Sequence, residues 1–516
     1  MQIASSTSSL VPQTQLTTST QPKSTGDRTQ ANPSDGSLSS IVALNQPLGD
    51  KLVYSLPSAA PVNGQALVYE SAKATGLDDK LGANIKAGTL SDRFAGLGSA
   101  MLSALANGED RLQQSVVRFT PNQRGTELDD SYKVSQQSVH ASPAAKVGMS
   151  IQTRSGTRIE LQISATDNAL AISMSSEGSL TPEERQAVTK LSSAFQKAVD
   201  GMAQVPPQVD LSALTGFDTR VISNVDLNAH MNDGSGTVTD LRFSATVSYR
   251  TVNIQAGDGN VYLSIDPASA AMAGSLAQRQ ASVNSLLDQL TQMSQRSPAQ
   301  SGLNNLFMQA FRDLQLGDAS LEPQNGASAT QATSQNEAIP DTVRQALSGL
   351  LDFQSNLQLT PASPNPLDSK EVDFFSLSFS QTTRISGNGS SLSISQQLQM
   401  SMEAAYHGAA SDRTPMTLGT DRSGQNYGYV RLNDTASSAV RIDLSPGNTD
   451  ATVHRSATRW TGSSFHEGGD IVSVNTRPEQ ASDTRSFNGL DGLQQVANAA
   501  MLLVNPGLLS NSKPVV

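Results

Sequence analysis

The chain has 516 residues, with 46 acidic against 35 basic side chains for a formal charge of −11, and it contains no cysteine. This excludes disulfides, thiolate nucleophiles and Cys-ligated metal centres. An acidic balance without a Lys/Arg cluster argues against nucleic acid as a partner, because phosphate neutralisation needs a basic face. Hydrophobic residues make up 37% and aromatic residues 4%, so a core must come mainly from Leu, Val, Ile, Ala and Met, and part of the chain is too polar to offset its conformational entropy.

Residues 1–45, rich in Ser, Thr, Gln and Pro, are predicted to be a disordered tail. The start shows neither the basic nor the apolar region of a secretory leader. The apolar run Ala499 to Val504 spans six residues, against about 20 for a membrane crossing. The chain therefore reads as soluble, with no membrane insertion. Residues 46–143 form a mixed segment. Leu52-Val53-Tyr54 and Leu67-Val68-Tyr69 read as short strands, and Ser91 as the N-cap of a helix that buries Phe94, Leu97, Met101, Leu102 and Leu105 and stops at Asn107-Gly108.

Residues 144–266 predict an antiparallel sheet with one capped helix. Val147, Met149 and Ile151, then Ile159, Leu161 and Ile163, alternate on either side of Ser155-Gly156, which is a hairpin pattern with one buried face. Leu170, Ile172 and Met174 add a strand. Thr181-Pro182-Glu183-Glu184 is a capping box opening a helix over Val188, Leu191, Phe195, Ala198 and Met202. From Phe217 to Asp266 the alternation returns, with Phe243, Ala245, Val247 and Tyr249 on one face. Turns at Asn232-Asp233-Gly234 and Gly257-Asp258-Gly259 leave connections too short for parallel crossovers.

Residues 267–358 read as helical, with Leu276 to Met293, Leu303 to Leu314, and a third helix carrying Val343, Leu347, Leu350 and Leu351 beyond a polar linker at 318–338. Thr360 to Pro366, with three prolines, reads as a hinge. Residues 368–516 predict a β-hairpin region: Phe375, Leu377 and Phe379 alternate, Gly387-Asn388-Gly389 turns, Leu392, Ile394, Leu398, Met400 and Met402 alternate again, and strands follow at Tyr427–Leu432 and Val440–Leu444. A last helix runs from Gly489 to Val504, ended by Asn505-Pro506-Gly507. The fold class is α+β, antiparallel hairpins and meanders packed with amphipathic helices.

Chemistry is sparse. The Gly-x-Gly pairs lack the third small residue of a dinucleotide loop and there is no Gly-Lys, so no cofactor site is expected. His140, His230, His407, His454 and His466 are scattered, the closest pair twelve apart; they read as surface or loop residues, with no metal site. No Gly-x-Ser-x-Gly elbow occurs, and no catalytic residue can be named. Trp460, near Arg455 and Arg459, reads as core or strand packing, with ligand stacking as the alternative. In its Cys-free, Ser/Thr/Gln/Asn-rich composition and polar start, the chain is similar to bacterial proteins exported unfolded by flagellar or related one-step secretion systems; this implies export without a cleaved leader, the alternative being a cytoplasmic protein. The reading is a non-enzymatic structural or interaction protein with a protein partner. The alternative is a hydrolase in which His407, His454 or His466 meets a carboxylate and a serine. Polar residues are expected to serve turns, caps and solubility, and nowhere to gather into a cluster.

Overall fold

A computed structural model describes residues 66–71, 76–119, 131–232, 238–298, 302–317, 339–359, 362, 364–388, 391–409 and 415–510. The expected tail (1–45), the run Leu52-Val53-Tyr54 and the linker 318–338 lie outside these residues, as do Asp233 and Gly234 of the first Asp-Gly turn.

The described strands form one antiparallel sheet. They are β1 (Ala66–Tyr69), β2 (Arg111–Phe119), β3 (Ala145–Thr153), β4 (Arg158–Ala165), β5 (Ala169–Ser176), β6 (Ile222–Asn232), β7 (Val238–Thr246), β8 (Arg250–Ala256) and β9 (Gly259–Asp266). A second run comprises β10 (Asp352–Leu359), β11 (Phe374–Asn388), β12 (Ser391–Gly408), β13 (Thr417–Leu418), β14 (Gln425–Ser445), β15 (Asn448–Glu467) and β16 (Asp470–Asn488). Spatial order is β1-β2-β5-β4-β3-β6, then sequential to β16, with the short β13 attached to β14. The α+β class holds, but the sheet dominates it.

Alternation decides which face meets the helices. In β3 and β4, Val147 pairs with Ile163, Met149 with Leu161 and Ile151 with Ile159, and all six are buried. Against this inner face lie α1 (Asp78–Asn84), α2 (Leu90–Phe94), α3 (Leu97–Ala106), α5 (Pro182–Lys190), α6 (Ser192–Met202), α7 (Leu276–Ser294) and α8 (Gly302–Leu316). On the opposite, outer face, α4 (Ser131–Ala141) sets Tyr132 and Val139 against Val68, Val117 and Ala171. A satellite core joins α9 (Asp341–Ala346) and α10 (Gly489–Ala499) to Ile394, Val440, Ile442, Ala451 and Val453, and α11 (Pro506–Ser510) rests on β15 and β16.

The Thr181–Glu184 capping box forms as expected, with both reciprocal bonds present. Several other expectations are corrected. The helix expected from Ser91 is capped by Thr89 instead, whose hydroxyl accepts from the Asp92 amide. It also breaks at Gly96, whose φ of 67° is a left-handed conformation that costs glycine little. Residues 352–359, expected to be helical, are the strand β10: Phe353, Ser355 and Leu357 are buried on one face between β9 and β11. Val247 and Tyr249, expected inside, lie where β7 turns into β8 and are 45% and 44% exposed. The strands at 427–432 and 440–444 are one strand, β14. β15 and β16 were not anticipated, because charged residues occupy inner-face positions there. The last helix stops at Ala499, and Pro506 opens α11 rather than ending a helix.

Candidate functional site

Near one end of β12, β14 and β15, side chains project onto the outer face in the order Tyr427, Tyr429, Arg431 on β14 and Trp460, Gly462, Ser464, His466 on β15. Residues 364–373 fold over this face as a packed loop; they include the end of the expected hinge (Thr360 to Pro366), of which Thr360, Pro361 and Ser363 lie outside the described residues. Asn365, 2% exposed, fixes the loop. Its amide accepts from Leu367 N at 3.0 Å and donates to Glu371 Oε2 at 3.0 Å.

The loop delivers two carboxylates to two imidazoles. His407 Nδ1 donates to Asp373 Oδ1 at 2.6 Å, and the same oxygen accepts from the His407 backbone amide at 2.9 Å. The ring is 3% exposed, and its Nε2 is buried without a hydrogen bond, 3.6 Å from Glu371 Oε2. The Tyr427 hydroxyl donates to that oxygen at 2.7 Å. Burial, reinforced by the Glu371 carboxylate, pushes the Tyr427 hydroxyl well above its ordinary value, so it stays a donor. The Tyr427 ring stacks on His466 with centroids 4.3 Å apart. His466 Nε2 stands 3.1 Å from Ser464 Oγ and 3.9 Å from Glu371 Oε1.

Beside this cluster lies a cavity of about 260 Å³ whose walls include Asp368, Lys370, Glu371, Arg431, Trp460 and Asn475. The Trp460 indole lies across Gly462. A Cβ at 462 would come within 2.4 Å of the ring, so only glycine lets it lie flat there. The Arg431 guanidinium sits 5.9 Å from the indole centroid, within cation–π range. Trp460 belongs to none of the hydrophobic clusters among the described residues; it lines the cavity rather than serving only as strand packing.

Imidazole, hydroxyl and carboxylate therefore do gather, contrary to the expectation from sequence. His407 and His466 are inside this cluster, not surface or loop residues. Yet the wiring is not that of a hydrolytic relay. Ser464 and Glu371 both approach Nε2 of His466, whereas a serine–histidine–acid relay needs them on opposite ring nitrogens. His407 has its orienting Asp373, but its second nitrogen faces a carboxylate instead of a hydroxyl. Among the described residues, no three His, Asp or Glu side chains are disposed to hold a metal ion. The other histidines lie elsewhere: His140 pairs with Glu70 at 3.0 Å, His230 with Asp240 at 2.7 Å and His454 with Thr484 at 2.8 Å.

The edge of the sheet passes beside the cavity. All nine residues from Asp470 to Pro478 of β16 are exposed, on both faces of the strand. Ile471, Val472 and Val474 are 63%, 55% and 66% exposed, and Val474 forms part of the cavity wall. From Arg477 to Arg485 the same strand carries Pro478 and the charges of Arg477, Glu479, Asp483 and Arg485, features that discourage edge pairing.

Sequence reasoning named His407 and His466 as candidates but missed Glu371, Asp373, Tyr427, Tyr429 and the tip of β16. The Tyr-Gly-Tyr alternation at 427–429 was the available signal. No helix among the described residues is long and apolar enough to cross a membrane. Compared with known proteins, the chain matches no family model, no curated protein and no solved structure.

Proposed function

We propose that this is a binding protein rather than an enzyme, and that the tip of β16 accepts an extended segment of a partner protein as an added strand. One observation carries the reading: a terminal strand whose first nine residues are exposed holds three large aliphatic side chains and no charge between Asp470 and Arg477. Natural edges are usually blunted by charge, proline or a cover, and the second half of β16 is. Its tip is left open, as strand-addition sites are. The compositional similarity to exported bacterial proteins supports a place outside the cell, which fractionation of host cells and medium tests.

The docking test is a selection of displayed ten-residue peptides on the full-length protein and on a Val472→Pro/Val474→Pro variant. The native chain enriches peptides with apolar residues at every second position, and the blocked edge does not. No enrichment on the native chain, or equal enrichment on both, overturns the proposal. Matching thermal melts of the two proteins establish that the block is local.

A further inference from the structure

We infer that the outer-face cavity beside Trp460 binds an uncharged, hydroxyl-rich ring, that is, a neutral saccharide. This goes beyond strand docking and does not depend on it.

Three properties of the walls select the ligand. First, the charges balance in number: the walls hold two cations, Lys370 and Arg431, and two carboxylates, Asp368 and Glu371. A phosphate or carboxylate ligand would gain from the cations and lose to the adjacent carboxylates, and a cationic ligand would meet the reverse, so an uncharged ligand fits best. Second, the walls carry both donors and acceptors. Lys370 and Arg431 can only donate, carboxylates can only accept, and Asn475 does both. A hydroxyl is both donor and acceptor, so a molecule carrying several can serve such a mixed rim without leaving either kind of group unpaired.

Third, one wall is the indole of Trp460, which lies along the sheet against Gly462 and has the Arg431 guanidinium 5.9 Å from its centroid, so a ring that stacks on it shares the indole with that cation. An aromatic face favours a surface of weakly polarised C–H groups. A sugar ring combines such a face with a hydroxyl-bearing rim. The cavity volume of about 260 Å³ lies near the lower end for small-molecule sites, about 300 Å³, and suits one or two rings. Asn475 lies on the open strand β16 and is exposed, so the cavity is reached from the side where a chain of sugars could continue.

Trp460 is the single tryptophan of the chain, so intrinsic indole fluorescence reports on this cavity alone. The probes are cellotriose, maltotriose and tri-N-acetylchitotriose, with trigalacturonate as the charged comparator, each titrated to about 10 mM, above the weak-binding range. At least one neutral trisaccharide is expected to change Trp460 emission saturably while trigalacturonate does not. Gly462→Ala, which forces the ring off the strand, is expected to weaken that binding about tenfold or more. Because Gly462→Ala could disturb folding, Asn475→Ala on the exposed strand provides a second variant, read by calorimetry as well as fluorescence. No response to any neutral trisaccharide overturns the inference. So does a trigalacturonate response as strong as theirs, or unchanged binding in both variants.

Discussion

Phe243 in β7 and Asp434 in β14 occupy corresponding places. Each is an inner-face residue of the same sheet, 1% and 0% exposed. Around Phe243 the inner face is aliphatic and merges with the core under the helices. Around Asp434 it is ionic. Arg296, just beyond α7, donates to Asp434 and to Thr461 Oγ1, Arg459 stands 3.9 Å from Asp434, and Arg455 and Arg485 reach Asp483 at 2.7 and 2.9 Å. Strands β3 to β9 are 7 to 11 residues long and covered; β14 to β16 are 19 to 21 residues long and outrun the core. The difference teaches that the two halves are stabilised by different physics. The first half is closed by an apolar inner face under the helices, and the second, the long ribbon, adds to its own apolar clusters a set of largely buried ion pairs, with an uncovered end that carries the proposed binding features.

The largest effect should come from the apolar half. Phe243→Ala removes a ring from a packed core and leaves a cavity that fixed backbone cannot fill, a loss of about 3–5 kcal/mol. Chemical denaturation measures it. A loss below about 1 kcal/mol would mean that this half is not the stabilising one. Asp434→Ala comes next. It leaves Arg296 and Arg459, 20% and 18% exposed, beside each other without their fully buried carboxylate, and breaking such a pair costs about 3 kcal/mol when the charges are buried. Burial, together with the nearby Arg296, already pulls the Arg459 guanidinium below its ordinary value. Adding Arg459→Met to Asp434→Ala should therefore restore part of the loss, because it withdraws a stranded charge. If the double variant is less stable than the single, the ion pairs are not what ties the ribbon.

This contrast also explains what could be read from the chain. The apolar half was legible because period-two alternation and the Thr181–Glu184 box act over a few residues. Val147, Met149 and Ile151 announce their face without knowledge of a partner. β15 was not legible, because its inner positions Arg455, Ala457 and Arg459 look like a solvated strand until Asp434 and Asp483 are brought opposite. The site was hidden for the same reason. His407 meets Asp373 from 34 residues away and Tyr427 meets Glu371 from 56, distances over which no local pattern carries information. At β10 the sequence points to helix instead of strand, because Val343, Leu347 and Leu351 repeat at helical spacing just before the strand begins.

The smallest effect, and the one that separates the halves most cleanly, is in pH dependence. In the apolar half, burial pushes the Asp313 carboxyl from 3.8 up to about 6, although the Leu211 amide bonded to it opposes the shift. A carboxyl raised on folding binds protons more tightly in the native state, so this group adds stability as pH falls from 7 through 6 toward 4. In the ribbon, burial also acts to raise Asp483, but hydrogen bonds from Arg455 and Arg485 outweigh it and hold the carboxyl below 3.8. Its contribution is complete above the ordinary carboxylate value and is lost as pH falls through the lowered one. Asp313→Asn should accordingly raise the denaturation midpoint at pH 7.5 and abolish the gain near pH 5, whereas Asp483→Asn should lower the midpoint at pH 7.5 and leave a shallower decline below pH 4. Midpoints measured from pH 3 to pH 8 for both variants decide it. Curves that shift in the same direction would show that one electrostatic regime governs the whole sheet.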